Sequence, residues 1–486
     1  MSDSAKQKLV DLGPSFLFLL FSVFFLPFLD WPFIPGKSFI RPLSLYPISI
    51  GLIFLLSQFS TLKISKKHGR NFFSTFTLFT CFSFFLSMFF ISIFLFDSQL
   101  AGAQSNDYEL NILRGTFSLL CGWLMYFYFY FTISKFPLFL ILPTLYKTIL
   151  ITICITFLAA LVQSLTQNGF SFTESINNLF QIFHSSGQLE HNKAYGLSPE
   201  GSYLADTIAV LYLPICFSSI TTNHSAFHKI PFIGRIEVFL FVPLIITLFL
   251  SQSRIGFITL VFLFICFCYI NFRNTNDNKK RKIKKWRLLI STCLLVFVPL
   301  AYIFSQQLMT TLASFLVWDN SSEVSGESNV TRLSHMLTAI YIFLKYPLGV
   351  GLGGFPNYYE RFIPSWALWN PEIQNYLGFD SGRSFIANPL PNPKAMFPKV
   401  LCETGIVGAL IFTWFYFSLL YNVYKISKLK FALAETKYWI YIMLYSLLAM
   451  IPFSFNNDSF LIPYYYFIFV ISELLLKSYA QLPLPT

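Results

Sequence analysis

The sequence predicts an all-α polytopic membrane protein, and its composition is the first reason. Of the 486 residues, 55% are apolar, 20% are aromatic and only 12% are charged, and the mean hydropathy is +0.60. A soluble chain has about 25% charged residues, and no water-soluble fold of this length hides 61 phenylalanines beneath polar cover. The lipid bilayer is therefore the expected solvent, which excludes a cytosolic enzyme, a secreted disulfide scaffold and a disordered linker protein.

About twelve stretches of the chain are long and apolar enough to cross a bilayer, for which about 20 residues are needed. The first run follows Lys6 and Lys8 without a small-residue cleavage pattern, and we interpret it as a retained anchor. The run from Val238 to Phe272 is too long for one helix, and the polar residues Ser251-Gln252-Ser253-Arg254 predict a tight turn that divides it. The predicted spans are residues 12–29, 42–62, 72–96, 110–133, 148–167, 203–222, 236–252, 255–271, 288–307, 397–423, 438–456 and 459–476.

The excess of basic residues indicates how the chain is oriented. The net charge of +12 comes from 34 Lys and Arg against 22 Asp and Glu. With the amino terminus inside, most of the Lys and Arg fall in inner segments, in agreement with the positive-inside rule, so both termini are predicted to be cytoplasmic. We interpret the basic run Lys279–Lys285 as a topology determinant that touches anionic lipid rather than as a nucleic-acid site. The eight Cys residues lie in apolar runs, which is typical of packing residues.

This orientation places residues 168–202, 251–256 and 308–396 on the outer side. The last segment is far longer than an ordinary connection, and its Trp, Tyr and Gly content favours a functional loop over a flexible linker. We therefore divide the chain into helices 1–9 at residues 1–307, a large outer loop between helices 9 and 10 at residues 308–396, and helices 10–12 at residues 397–486.

Several ionisable residues fall near the predicted outer membrane face, where charge is costly unless it faces a cavity or a partner. A functional site is therefore the default hypothesis. The planar fork of arginine matches phosphate oxygens bidentately, so converging arginines would suit a lipid-borne diphosphate. Alternatively, each arginine reaches the interface or pairs with a nearby acid. The residues are Arg114, Arg254, Arg332, Glu200, Asp206 and Glu403.

Three further features leave alternatives open. Glu200 stands between Pro199 and Gly201 directly before a span, which is also good helix-capping chemistry. His335 shares a helical face with Arg332, either as a polar packing residue or as part of the site. No arrangement of His predicts a metal site.

The stretch from Pro347 to Asn357 is rich in glycine, including Gly351 and Gly353. Such spacing permits tight turns or a close backbone approach to a ligand. It lacks the Gly-Lys-Ser/Thr of a nucleotide-binding P-loop.

Four stretches, taken in order, resemble the O-antigen ligase and polymerase superfamily of bacterial polytopic membrane glycosyltransferases. They are Gly196–Ala205 (GLSPEGSYLA), Ser251–Gly256 (SQSRIG), Arg332 followed by Pro347–Gly353 (PLGVGLG), and Leu401–Gly408 (LCETGIVG). The resemblance covers roughly residues 195–425. It implies an enzyme that takes a glycan from undecaprenyl diphosphate at the periplasmic face and joins it to another glycan, with no metal or other cofactor.

Carried over by position, Arg254 and Arg332 would bind the donor diphosphate, and Arg114 is a third candidate. For the general base, Glu200 is the first candidate, Glu403 the second and His335 the third, since a carboxylate at a partly desolvated membrane edge suits that task.

The ligase branch usually has a His-Asn pair about nine residues before the Glu of the last stretch, where this chain has Lys394-Ala395. This departure favours a polymerase over a ligase. Trp366 and Trp369 are candidates for stacking on sugar faces, although interfacial anchoring explains them equally well.

The function expected from these residues is polymerisation of polysaccharide repeats, such as O-antigen, capsule or exopolysaccharide, at the periplasmic face of the bacterial inner membrane. The partners implied are an undecaprenyl-diphosphate-linked oligosaccharide, an acceptor glycan and membrane lipids. A chain-length regulator is a further partner that this chemistry allows. No nucleic-acid partner is expected. One alternative is a ligase that moves polymer onto lipid A-core. Another is a membrane transporter or a flippase for lipid-linked oligosaccharides, although such proteins place their sites at the bilayer midplane and commonly show paired repeats.

Overall fold

The computed structural model describes residues 13–30, 41–57, 72–96, 108–181, 193–225, 235–273, 324–377, 391–429 and 434–480. Within these ranges the regular structure is helical. The helices are α1 (Gly13–Phe24), α2 (Leu45–Ser57), α3 (Phe72–Phe96), α4 (Tyr108–Ser134), α5 (Leu138–Gln167), α6 (Glu174–Gln181), α7 (Gly201–Thr222), α8 (Ile236–Leu250), α9 (Arg254–Arg273), α10 (Val324–Lys345), α11 (Phe355–Phe362), α12 (Pro371–Tyr376), α13 (Met396–Ser427), α14 (Ala434–Phe453) and α15 (Pro463–Ala480).

The apolar runs of the sequence become these helices. Among the described residues, eleven of the twelve predicted spans fall on helices, and the run at residues 288–307 lies outside them. Six described helices, α3, α4, α5, α7, α9 and α13, are long and apolar enough to cross a membrane. A polytopic α-helical membrane protein is therefore confirmed. The count of twelve spans and the three-part division at residues 307 and 396 stay predictions.

Helix α7 forms the centre of the bundle. It packs along α14, and nearly nine-tenths of the residues in its most apolar stretch are buried. The segment Thr207–Tyr212 within it is π-helical, a local geometry that is rare and often marks functional sites. The aromatic residues fill the space around it in edge-on and tilted pairs, such as Tyr146 with Trp439 at 4.9 Å and Phe217 with Phe267 at 5.1 Å. Such pairs stabilise the core beyond the area that they bury.

Several helix ends meet at one end of the bundle, which we call the site end. The backbone N–H of Ala194, just before α7, donates to the carbonyl of Leu250 at the end of α8 (2.9 Å). The N–H of Met396 at the start of α13 donates to the carbonyl of Ser454 after α14 (2.7 Å). The charge distribution of the sequence predicts that these same segments lie on the outer side of the membrane.

Helices α10 to α12 lie at the site end, where α10 packs on α13. Asn370, between α11 and α12, joins these short helices to α10 through a hydrogen bond from the Thr331 hydroxyl (3.3 Å). Part of the predicted outer loop is therefore a folded helical cap.

Candidate functional site

Two glycines bring the starts of α7 and α9 together at the site end. A Cβ on Gly201 would lie 2.3 Å from the carbonyl oxygen of Ser251, and one on Gly256 would lie 2.7 Å from the Cβ of Ala205. Any larger side chain would force the two helices apart. This close approach places Glu200, the residue before α7, beside the turn that carries Arg254.

Three basic side chains from distant parts of the sequence come together there. Arg254 begins α9, Arg332 lies in α10, and Lys394 precedes α13. The charge of Arg332 is near enough to act on both Arg254 and Lys394. All three side chains are half-buried. We call Arg254, Arg332 and Lys394 the cationic cluster.

Two described acids, Glu200 and Glu372, lie beside the cationic cluster. Glu200 is half-buried and its Oε2 accepts a hydrogen bond from the Ser202 hydroxyl (3.0 Å). Its charge also acts on Lys394. Glu372 lies 4.0 Å from the Lys394 Nζ, at the limit of an ion pair. Among the described residues, no acid forms an ion pair with Arg332. Three cations brought together from distant parts of the chain suit an anionic ligand.

Glu200 occupies the N-cap position of α7, but its side chain makes no capping hydrogen bond to the backbone. The helix-capping alternative for this residue therefore has no support from the geometry. Tyr203, one turn into α7, lies within electrostatic reach of both Glu200 and Arg332. The carboxylate, the tyrosine and the cations therefore belong to one site.

Lys394 keeps its charge in this setting. Burial acts against that charge, but Tyr376, Glu372 and Glu200 outweigh it and raise the pKa of the Lys394 ammonium. Its backbone φ of +57° is unusual for a residue other than glycine. The strained backbone and the charged side chain occur where the ligase branch has its His-Asn pair.

His335 is buried and both of its ring nitrogens are engaged. Its Nδ1 lies 2.6 Å from the carbonyl oxygen of Asn392, and its Nε2 lies 2.7 Å from the Tyr359 hydroxyl. Burial, together with the nearby charge of Lys394, lowers the pKa of His335 to about 3. The neutral ring therefore donates to Asn392 and accepts from Tyr359, which ties α10 and α11 to the segment that carries Lys394.

Glu403 is buried in α13, behind the cap. Its carboxylate faces the backbone N–H groups of Gly353 and Phe355. One turn earlier, Lys399 pairs with Asp458 at 3.6 Å. The Glu403 side chain is therefore held against the turn that precedes α11.

The glycine-rich turn packs against protein rather than around an open space. Gly349 has a φ of +94°, and a Cβ there would lie 2.6 Å from the backbone nitrogen of Gly405. Gly351 and Gly353 also have positive φ, and a Cβ on Gly353 would lie 2.2 Å from the carbonyl oxygen of Asn111. Gly405 itself interrupts α13 with a φ of 65°. In the described structure the glycines allow the turn to dock on α4 and α13.

The remaining predicted residues lie farther from this convergence. Arg114 is exposed on α4, next to Gly115, which packs against the backbone of Gly353. Trp366 and Trp369 are 41% and 42% exposed on the cap, as either sugar stacking or interfacial anchoring requires. No described contact joins Arg114 or these indoles to the cationic cluster.

The sequence pattern did not indicate how Asp206 is held. This buried acid, just before the π-helical segment of α7, accepts hydrogen bonds at Oδ2 from the Tyr465 hydroxyl (2.5 Å) and the Asn457 amide (3.1 Å). The only sequence signal was the polar insert Asn456–Ser459 between two apolar runs. Asp206 therefore links α7 to the start of α15 beneath the site.

Within the described part of the chain, no group of three or more His, Cys, Asp or Glu side chains is placed to hold a metal ion. The donor set of the site is instead guanidinium, ammonium, phenol and carboxylate, which suits an anionic ligand with hydroxyl groups.

A search of curated proteins finds no relative that matches the chain. Residues 239–378 match the model of the family described as O-antigen ligase. This region holds two members of the cationic cluster, Arg254 and Arg332, and most of the described cap. The match supports what the four sequence stretches indicate, that the chain is a membrane protein of the O-antigen ligase and polymerase superfamily.

Proposed function

We propose that this protein is a polysaccharide polymerase that transfers glycan from undecaprenyl diphosphate to an acceptor glycan at the periplasmic face of the bacterial inner membrane. The observation that carries the proposal is the cationic cluster beside Glu200. Superfamily membership supports a glycan-transfer function of the ligase or polymerase type. The cluster adds a place where the diphosphate of a lipid-linked donor would bind.

The reaction requires two things of the protein. The acceptor hydroxyl attacks the anomeric carbon of the donor sugar, a new glycosidic bond forms, and the bond from that carbon to the diphosphate oxygen breaks. Negative charge grows on the departing diphosphate. Arg254 and Arg332 are fixed by α9 and α10, so they stabilise that charge without reorganising. Arg114 would contact the diphosphate only if the donor extends along α4.

The second requirement is a base that takes the proton of the acceptor hydroxyl. Glu200 is the strongest of the three candidates because its carboxylate is half-buried and adjoins the cationic cluster. Glu403 faces backbone N–H groups inside the fold, and the ring nitrogens of His335 already contact Tyr359 and Asn392. Their positions favour supporting roles for these two residues, and a role for Lys394 as a third cation.

A ligase that moves finished polymer onto lipid A-core remains the alternative within the superfamily. Lys394 stands where that branch usually has His, and no described His adjoins Glu200. The choice of polymerase rests on this departure. The distribution of basic residues predicts the orientation of the protein, and it places the site end on the outer side of the membrane.

The experiment is a comparison of glycolipids from a strain that lacks the gene and is complemented with wild-type or variant protein. Loss of a polymerase leaves glycolipid that carries a single repeat. Loss of a ligase leaves bare lipid A-core, with the polymer still attached to its lipid carrier. We expect the single-repeat pattern from the null strain and from Arg254→Ala and Arg332→Ala variants present at normal membrane levels. Bare core with carrier-linked polymer would replace polymerase by ligase, and full-length surface polymer from both variants would remove the role given to the arginines.

A further inference from the structure

The short helix α6 presents an apolar face that no described part of the protein covers. Phe172, Ile176 and Leu179 are 71%, 45% and 60% exposed. Phe172 lies in the 3-10 turn Ser171–Thr173 directly before α6, and Ile176 and Leu179 lie on α6, so their spacing of four and three residues follows one helical face. We call Phe172, Ile176 and Leu179 the apolar stripe. Three large apolar side chains in one exposed row mark an interaction surface.

A second side of α6, which adjoins the apolar stripe, is fixed to the bundle. Phe180 is buried in a cluster with Val162 of α5 and Leu197, and Asn177 is 3% exposed. The Thr173 hydroxyl lies 2.8 Å from that of Thr166 at the end of α5. Helix α6 therefore lies at a fixed depth relative to α5.

That depth corresponds to the membrane surface. Helix α5 has 30 residues, which at 1.5 Å per residue is about 45 Å, against a hydrocarbon thickness of about 30 Å. Its end therefore reaches the headgroup region, and the chain reverses there at Gly169, whose φ is +86°. Helix α5 itself exposes large apolar side chains, such as Ile151 and Leu158.

We propose that α6 is an interfacial helix whose apolar stripe inserts into the lipid at the outer surface of the inner membrane. A helix with an apolar row on one side, polar residues on another and little net hydrophobicity is typical of this location. Its exposed polar side carries Glu174 and Asn178 and no basic residue. Binding therefore depends on apolar burial rather than on anionic headgroups, and uncharged lipid suffices.

This insertion has a consequence for the site. The chain between α6 and α7 includes Tyr195 and Gly196, whose backbone N–H groups donate to the Gln163 side chain of α5 at 2.9 and 2.8 Å. Glu200 follows directly. An α6 fixed in the lipid surface would hold α5 and this segment at a constant height, so that the carboxylate stays level with the headgroup of a lipid-linked substrate.

The test uses the full-length protein with a photoreactive benzophenone amino acid at Ile176 or Leu179, and at Glu174 or Asn178 as matched positions on the polar side. Each protein is purified, reconstituted in phosphatidylcholine vesicles and irradiated. Mass spectrometry then measures the yield of lipid adducts. We expect lipid adducts at residues 176 and 179 in several-fold higher yield than at residues 174 and 178. Equal yields at the four positions would overturn the proposal.

A second arm irradiates the same variants in intact cells. Lipid adducts at Ile176 and Leu179 there again support insertion. Adducts to another protein at both positions would overturn it, because the stripe would then be a protein interface. Since two stripe positions are labelled separately, one variant that fails to reach the membrane does not decide the outcome.

Discussion

Two groups of charged side chains lie towards opposite ends of the helix bundle, and they are organised differently. Away from the site end, Lys477 pairs with Glu473 at 2.7 Å. The Glu473 carboxylate accepts a hydrogen bond from Tyr126 (2.5 Å), and Lys477 donates to Tyr130 (2.5 Å). One cation meets one anion, and both are also hydrogen-bonded. We call Glu473 and Lys477 the closed pair.

The cationic cluster instead gathers several cations in one place. Arg254, Arg332 and Lys394 lie near one another, and the acids beside them are half-buried Glu200 and Glu372 at 4.0 Å from Lys394. Like charges held together in a folded protein destabilise it unless something compensates them. The comparison indicates that the closed pair supports the fold, whereas three cations gathered in one place favour an anionic ligand.

The largest effect is expected on catalysis when the cationic cluster is reduced. Arg254→Ala and Arg332→Ala should each lower the rate of glycan transfer by roughly 100-fold or more, since each removes a preorganised donor to the departing diphosphate. Lysine at either position should restore part of the rate, because it supplies charge without the planar fork. The rate is measured in vesicles that contain the lipid-linked donor.

Lys428→Ala serves as the control for these variants because Lys428 is an exposed cation at the far end of α13. Its transfer rate should match that of the wild type. An equal loss in Lys428→Ala and Arg254→Ala would mean that overall charge, rather than the cluster, controls the rate.

The closed pair should show the opposite behaviour. Glu473→Leu leaves Lys477 without its partner and should cost roughly 3 kcal/mol of the free energy of unfolding. The double variant Glu473→Leu with Lys477→Met should recover most of that loss, because no unpaired charge remains. Denaturant unfolding in lipid micelles measures both, and transfer by the folded fraction should be unchanged. A stable Glu473→Leu protein with impaired transfer would reverse the roles given to the two regions.

The packing of the glycine-rich turn on α13 can be tested with two glycines of similar backbone φ. Gly169 (φ +86°) has nothing near its would-be Cβ, whereas at Gly349 (φ +94°) a Cβ would meet Gly405 at 2.6 Å. Gly169→Ala should cost about 1 kcal/mol of unfolding free energy through backbone strain. Gly349→Ala should cost about 1–3 kcal/mol more through overlap. Equal losses in thermal or denaturant unfolding would show that the turn and α13 can separate freely.

The last prediction concerns the acid sensitivity of the fold beside Lys394. Below about pH 6.5 the unfolded His335 binds a proton, but the folded side chain, with its pKa of about 3, does not. The free energy of unfolding should therefore fall as pH drops from 6.5 towards 3, by up to about 1.4 kcal/mol per pH unit from this residue. His335→Gln should remove that part of the slope, as pH-dependent unfolding measures. An unchanged slope would place the His335 ring in contact with water.

Much of the fold could be predicted from the sequence because apolar length is a local property. Each of the eleven described runs became a helix, and Gly201, next to Glu200, packs against the turn before Arg254. The turn at Ser251–Arg254 followed from its polar residues.

The details that depend on tertiary packing could not be predicted in this way. The sequence does not indicate that Tyr465 and Asn457 donate hydrogen bonds to Asp206. Nor does it indicate that both ring nitrogens of His335 are hydrogen-bonded, one to Tyr359 and one to Asn392. Their partners lie more than 20 residues away in the sequence, and only the folded chain brings them together.

The glycine-rich turn illustrates the same limit. Its spacing is compatible with binding either a ligand or protein, and only the position of Gly405 opposite Gly349 distinguishes the two.

The most direct test of the cationic cluster is binding of farnesyl diphosphate, a short polyprenyl diphosphate, to the full-length protein in nanodiscs. The wild type and Lys428→Ala should bind it equally, and Arg254→Ala and Arg332→Ala should each weaken binding by about tenfold or more, with farnesol as the ligand that lacks the diphosphate. Equal affinity of all four proteins for farnesyl diphosphate would contradict the assignment of the cationic cluster as the diphosphate site.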